Sequence, residues 1–282
     1  MTLGEELRQA SQALNTEGIP DHSLEAQILL AHALGFSRAQ LLARPERPLS
    51  PAELRVFWAM LARRLKREPT AYILQNREFY GRDFFVDRRV LIPRPETEVL
   101  VDRALAAAKR LGEDVTIADV GTGSGAVAVS LALELPRASL FALDVSAEAL
   151  EVARINCAKH GVSGRVKPLQ GDMLSSLPGP VQMVAANLPY VPDGAELAPE
   201  LLYEPALALR GGPDGLRALR SFLHQVADAL LRGGAFLLEI GAGQEAEVRK
   251  LVLAHFPGAG VSVFPDLGGV PRVVEVTPES GA

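Results

Sequence analysis

Val115-Thr-Ile-Ala-Asp-Val-Gly-Thr-Gly-Ser-Gly-Ala126 decides the fold. Its first six residues are mostly apolar and β-branched, the composition of a strand buried on both faces. Gly121, Gly123 and Gly125 then break the chain, and Ala126 opens an alanine- and valine-rich helical run to Leu135. Strand, glycine turn and helix in this order let the backbone approach a ligand closely and leave amides free at a helix N-terminus. Gly121-Thr-Gly-Ser-Gly-Ala126 also fits the dinucleotide fingerprint GxGxxA, and a tight turn with no ligand uses the same glycines.

Downstream, short apolar runs alternate with helical periodicity. Strands are expected at 115–120, 139–143, 165–169, 181–186 and 235–240, with closing strands at 261–264 and 272–276. Helices are expected at 126–135, 147–160, 216–231 and 244–254, and one from about Thr97 to Arg110 precedes them. This alternation gives an α/β fold, a doubly wound and mainly parallel seven-stranded sheet with helices on both faces. Ligands of such sheets sit at the carboxyl ends of the early strands.

Upstream the pattern is different. Residues 1–70 read as a small all-α N-terminal domain. Leu24–Leu34 can be capped by Asp21 or Ser23 and is stopped by Gly35. Ser50-Pro-Ala-Glu53 is a capping box with proline at the first helical position, opening a helix through Leu65. Arg63, Arg64, Lys66 and Arg67 form a basic cluster, read as a solvated helix face or as a contact for an acidic partner. Residues 71–93 alternate aromatic and polar, with turns at Gly81-Arg82 and Asp87-Arg88, and read as a β-hairpin linker. Residues 94–282 are the α/β domain.

Composition narrows the function classes. With 282 residues and 48% apolar side chains, the chain can bury a core and is not a disordered segment. One cysteine, Cys157, excludes a disulfide framework. No apolar run approaches the roughly 18–20 residues of a membrane span, and the first residues lack a signal core, so a cytoplasmic protein is expected. Residues 1–80 hold ten basic and nine acidic side chains of the total 29 and 34, so the acidic excess lies in the α/β part. A net charge of −5 argues against a nucleic-acid coat. The five histidines are scattered, and no metal site is expected.

Two acids extend the glycine signal. Asp144 ends the second strand, where a carboxylate can accept both ribose hydroxyls of a nucleoside. Asp172 follows the third strand, where it can accept from an adenine amine, with Met173 as an apolar neighbour of the ring. Either acid alone also fits a helix cap or a turn. Asn187-Leu-Pro-Tyr190 follows the fourth strand. Leu188 precedes proline and is biased towards an extended backbone, which can present its carbonyl beside the Asn187 side-chain oxygen. Two such acceptors hold the two hydrogens of an –NH2 group, and Tyr190 can stack on the flat group carrying it. Orientation and charge stabilisation are what a poorly nucleophilic amide nitrogen requires.

Phe79-Tyr-Gly81, Val90-Leu-Ile-Pro-Arg-Pro-Glu-Thr-Glu98, Asp119–Gly125, Asn187–Tyr190, Glu204-Pro205, Gly211-Gly-Pro-Asp-Gly215, Gly233-Gly234 and Glu239-Ile-Gly241 extend the pattern along nearly the whole chain. Together they resemble the HemK/PrmC family, S-adenosylmethionine-dependent methyltransferases that modify the glutamine of the GGQ tripeptide in peptide-chain release factors. The segment 92–98 is the most specific of these motifs.

The resemblance implies S-adenosylmethionine over Gly121, Thr122, Gly123, Ser124 and Gly125, with Asp144 on the ribose and Asp172 and Met173 near the adenine. S-adenosylhomocysteine would be the product. It implies that Asn187, Leu188, Pro189 and Tyr190 hold the glutamine carboxamide, with Asn187 also beside the cofactor and Asn187 and Tyr190 carrying the catalysis. It places Arg94, Glu96 and Thr97 beside the site and gives the helical domain a role in docking the release factor. A monomer with no direct nucleic-acid contact is the natural form. The family has Asn-Pro-Pro-Tyr where this chain has Leu188, which still supplies the backbone carbonyl. Asn-Leu-Pro-Tyr also resembles rRNA adenine dimethyltransferases, which makes adenine N6-methylation of RNA or DNA the rival reading. A nicotinamide oxidoreductase and a binding module without turnover complete the alternatives.

Overall fold

A computed structural model describes residues 1–112 and 114–279. The chain divides into two compact units, Met1–Asn76 with Leu197–Tyr203, and Arg77–Glu196 with the chain from Glu204 onward.

The first unit is helical: α1 (Leu3–Thr16), α2 (His22–Leu34), α3 (Arg38–Leu42), α4 (Pro51–Leu65) and α5 (Thr70–Leu74). Thr2 with Glu5, Ser37 with Gln40, and Ser50 with Glu53 form reciprocal capping boxes, so α1, α3 and α4 begin where their side chains satisfy the first free amides. Asp21 stands at the cap of α2 in a left-handed conformation and makes no side-chain cap bond. Leu3, Leu14, Leu29, Leu30, Phe57 and Leu61 close the core of this unit.

The basic cluster is only partly a solvated face: Arg63 and Lys66 are exposed, whereas Arg64 and Arg67 turn inward. Arg64 is only 4% exposed and donates to Glu200 and Glu25, Arg67 donates to Glu200, and Arg63 to Glu68. The acidic partner is Glu200, on the 3-10 turn Pro199–Tyr203, which is distant in sequence but packed in this unit.

The second unit starts with a hairpin, β1 (Arg77–Phe79) and β2 (Arg82–Phe84). Tyr80 and Gly81 turn it with φ of +53° and +70°. Residues 71–74 of the expected linker are helical, and 85–94 run without strand pairing after β2. A 3-10 turn at Pro95–Thr97 leads into α6 (Glu98–Leu111). There follow β3 (Thr116–Val120), α7 (Ala126–Glu134), β4 (Ser139–Asp144), α8 (Ala147–Lys159), β5 (Val166–Gln170) and β6 (Val181–Ala186). The chain ends with α9 (Ala206–Leu209), α10 (Arg217–Ala229), β7 (Leu230–Glu239), α11 (Glu245–His255), β8 (Gly260–Pro265) and β9 (Pro271–Thr277).

The seven strands lie in the order β5-β4-β3-β6-β7-β9-β8. The first five are parallel, and β9 is antiparallel to both β7 and β8. Successive residues serve opposite faces. Ile117, Met183 and Ala185 join α6 and α7 in one core, while Ala118, Val184 and Ala186 join α10 and α11 in the other. β7 begins earlier than its sequence suggests. Leu230 pairs with Val181 and Ala235 with Met183, so residues 231–234, with Gly233 at φ +75°, loop out opposite Gln182. Among the described residues no helix is long and apolar enough to cross a membrane.

Candidate active site

The order of connection reverses between β3 and β6. From β3 the chain steps outward to β4 and β5, then returns to the other side of β3. Loops leaving β3 and β6 therefore diverge at their carboxyl ends and open a crevice. A cavity of about 610 Å³ lies there, within the range of small-molecule sites.

The glycine turn forms its floor. Gly121 N and Thr122 N both donate to Leu143 O at 2.9 Å, which pulls the turn over the end of β4. Gly121 has φ +72°, and a Cβ there would stand 3.0 Å from Asn187 O, so no other residue allows the two strand ends to approach this closely. Asp119 Oδ2 accepts from Thr122 Oγ1 at 2.6 Å and Ala128 N at 3.2 Å, tying the turn to the start of α7. Burial pushes the Asp119 carboxyl up to about 6 against these hydrogen bonds. Asn156 is fully buried in α8. It donates to Phe85 O and Ser124 O and accepts from Phe85 N, joining the segment after β2 to the turn.

Asp144 accepts from Gly123 N and Ser146 N, each at 2.9 Å. Burial raises its carboxyl above the ordinary range, and the backbone amides pull the other way. It lines the cavity with Gly121, Thr122, Gly123, Ser124, Asp172 and Met173. Asn187, Leu188 and Pro189 line the same cavity from the β6 side, as do Arg94 and Thr97. Asn187 Nδ2 donates to Thr97 Oγ1 at 3.2 Å, which turns the amide oxygen away from Thr97.

Three residues singled out in the sequence, Glu96, Gly125 and Tyr190, lie outside the cavity lining. Gly125 is not in the lining; its missing Cβ would meet Ala153 at 3.3 Å, so it lets α7 approach α8. Tyr190 lines a small recess next to the cavity, with Leu188, Pro189, Glu239 and Gln244. Burial pushes its phenol up to about 12.

Three groups escaped sequence reading. Asn156 left a weak signal, a polar side chain in the buried stripe Leu150–Ala153–Cys157. Glu204 was quoted only as part of a motif. Its carboxylate is 1% exposed and accepts from Arg94 Nη2 at 2.5 Å and Ile92 N at 3.0 Å, holding segment 92–94 at the cavity edge. Glu239 is buried at the end of β7, where desolvation raises its carboxyl to about 7.

Sheet order and cavity define a doubly wound α/β fold with a ligand site at its switch point. A solved methyltransferase from Pyrococcus furiosus shares the fold at a TM-score of 0.54 and 16% identity, covering 71% of this chain and 90% of that one. Residues 5–74 match the PrmC N-terminal domain and residues 96–214 the methyltransferase small domain. The release factor glutamine methyltransferase of Moorella thermoacetica is 44% identical over 277 residues, 96% of this chain and 97% of that protein. Its counterpart in Deinococcus radiodurans is 38% identical over 286 residues, covering 100% of both. The chain belongs to the release factor glutamine methyltransferase family.

Proposed function

We propose that this protein transfers a methyl group from S-adenosylmethionine to the side-chain amide nitrogen of the glutamine in the GGQ motif of peptide-chain release factors. The observation that carries this reading is the Asn187 amide. Its nitrogen is occupied by Thr97 and its oxygen is left for an –NH2 donor at the cavity wall.

The residues present fit the cofactor. The turn at Gly121 and Gly123 offers backbone without side chains, and Asp144 and Asp172 offer acceptors for hydroxyls and an amine. Met173 and Val145 supply apolar surface for a ring. Bound there, S-adenosylmethionine supplies an electrophilic methyl group on a sulfonium.

This chain's contribution is positioning. Asn187 Oδ1 and the Leu188 carbonyl accept the two carboxamide hydrogens, fixing the nitrogen and stabilising the positive charge that grows as the N–C bond forms. As that bond forms the methyl–sulfur bond would break, leaving S-adenosylhomocysteine, and the nitrogen then releases its proton to water, so no strong base is required beforehand. Tyr190 lines the recess beyond Pro189 and packs behind this segment. The helical unit, Met1–Asn76 with Leu197–Tyr203, docks the release factor, and the protein works as a cytoplasmic monomer.

Incubation with S-adenosylmethionine, an unmodified release factor and total RNA in parallel tests this by peptide mass. One added methyl on the GGQ peptide, lost when that glutamine is replaced, is expected. Methylated adenine in the RNA with an unchanged release factor overturns it.

A further inference from the structure

Leu188 and Pro189 line both the cavity and the small recess, so they form a wall between the two. Two glycine-containing stretches, 211–215 and 239–244, meet behind that wall, and neither lines the cavity. Gln244 Nε2 donates to Tyr190 O at 3.1 Å, and Gln244 Oε1 accepts from Gly241 N at 2.8 Å. A backbone amide only donates and a carbonyl only accepts, so the two ends of this side chain cannot be exchanged. Gln244 stands at the cap of α11 but makes no side-chain cap bond, so the helix start does not depend on its amide.

The 211–215 turn closes over the Gln244–Tyr190 bond. A Cβ on Gly215, at φ +77°, would collide with Tyr190 O and stand 2.9 Å from Gln244 Nε2. One on Gly211 would stand 2.5 Å from Pro189 O. Beyond them, Val191 N donates to Leu209 O at 2.9 Å and Gly211 N to Val191 O at 2.8 Å. The backbone from Pro189 O to Val191 is thus held from behind. Among the described residues no donor reaches the Leu188 carbonyl, which stays available as an acceptor.

We propose that Gln244, with the 211–215 turn packed over it, is a clamp that sets the direction of the Leu188 carbonyl, and so a positioning residue for the substrate carboxamide. The ring of Pro189 fixes its φ, which leaves ψ of Pro189 as the one soft dihedral between the Leu188 and Pro189 carbonyls. Gly211 confines the Pro189 carbonyl, and Gln244 anchors the next one. On the other side Ala186 is held in β6. Without the Gln244 donor, the peptide after Pro189 swings, and the Leu188 carbonyl leaves its place beside the Asn187 oxygen. One of the two acceptors for the substrate –NH2 is then misdirected while the cofactor turn is untouched.

This inference rests on the Leu188 carbonyl holding the substrate carboxamide. The test compares wild type, Gln244→Glu and Gln244→Met on an unmodified release factor at neutral pH, with cofactor affinity by calorimetry. Gln244→Glu keeps the acceptor for Gly241 N and loses the donor to Tyr190 O; Gln244→Met loses both. Both variants are expected to lower kcat about tenfold or more, with cofactor affinity within twofold of wild type and KM for the release factor changed less than kcat. In the free protein, the 13C resonance of the Leu188 carbonyl should shift and broaden in both variants, while that of Asp119, at the cofactor turn, stays in place. Gln244→Glu turnover within twofold of wild type overturns the clamp, as does an unmoved Leu188 resonance. Equal losses of kcat and cofactor affinity also overturn it, because they mark a general loss of structure. If Gln244→Met does not fold, Gln244→Glu decides. A wild type that leaves the release factor unmethylated sinks the substrate reading, and the Leu188 resonance, read without substrate, still decides the clamp.

Discussion

Asn156 and Glu239 are polar residues deep in apolar surroundings, and each has a measurable consequence. Asn156 satisfies Phe85 N, Phe85 O and Ser124 O, three backbone groups at the turn and the segment after β2. Asn156→Ala should cost roughly 3 kcal/mol in urea unfolding and weaken cofactor binding, because Ser124 belongs to the glycine turn. Stability within 1 kcal/mol of wild type would refute that role. Glu239 acts through pH. Burial raises its carboxyl from 4.5 to about 7, so between these values the folded chain holds a proton that the unfolded chain has released. Stability should fall by roughly 3 kcal/mol as pH rises across that window, and Glu239→Gln should remove most of the fall. Asp119, raised from 3.8 to about 6 by burial, leaves a smaller decline at the acid end in the variant. Unfolding curves at pH 4.5, 6 and 8 decide this, and equal slopes in both proteins would count against it. At this scale the sequence showed the glycine turn, the strand-end acids and Asn187, because each follows a strand end. Thr97 lies 90 positions from Asn187, so their meeting depends on how the chain returns to the sheet, which periodicity does not encode.

Elements were legible where local chemistry sets their ends. The Ser50 capping box starts α4 where expected, and the strand–glycine–helix unit at 116–134 forms as read. Reading failed where long-range pairing overrides local pattern. Leu230 and Leu231 fit the apolar stripe of α10, yet Leu230 pairs with Val181 and starts β7. Val90-Leu-Ile92 looks like a strand but joins no sheet among the described residues, and Glu204 accepts from the Ile92 amide. Arg64 shows the same effect in the helical unit. Its guanidinium is buried among Glu25, Glu200 and the Glu68 carbonyl. Removing it takes the shared cation from two carboxylates that are each about four-fifths buried, leaving Glu200 to Arg67 and Glu25 to Thr70. Arg64→Met should cost about 2–3 kcal/mol and release the segment 197–203 to protease. Arg64→Lys should recover little, since one ammonium cannot reproduce the forked contacts. Unchanged cleavage between 191 and 203 in Arg64→Met would show that Glu200 is held by Arg67 alone.

For the whole molecule, the consequence lies in how the two units share the chain. The class of fold and a helical first quarter were legible, because alternating strands and helices give way to pure helical spacing upstream of residue 71. That Leu197–Tyr203 belongs to the helical unit was not, since Arg64 and Glu200 are 136 positions apart. Segment Asn187–Tyr190 is thus followed, after six intervening residues, by a stretch whose packing partners lie in the first 76 residues. A fragment starting at Arg77 keeps every residue of the cavity lining and both cores of the sheet. It loses Arg64 and Arg67, which pair with Glu200, and the Lys66 carbonyl, which accepts from Tyr203. The fragment should fold and bind S-adenosylmethionine within about threefold of the full chain. Its segment 197–203 should become the first site of proteolysis, because nothing buries it, and KM for the release factor should rise far more than kcat falls. Calorimetry, timed proteolysis and initial rates on the same preparation separate these effects. Loss of cofactor binding would mean that the α/β unit depends on the helices for its fold. A KM equal to that of the full chain would remove the docking role from the helical unit.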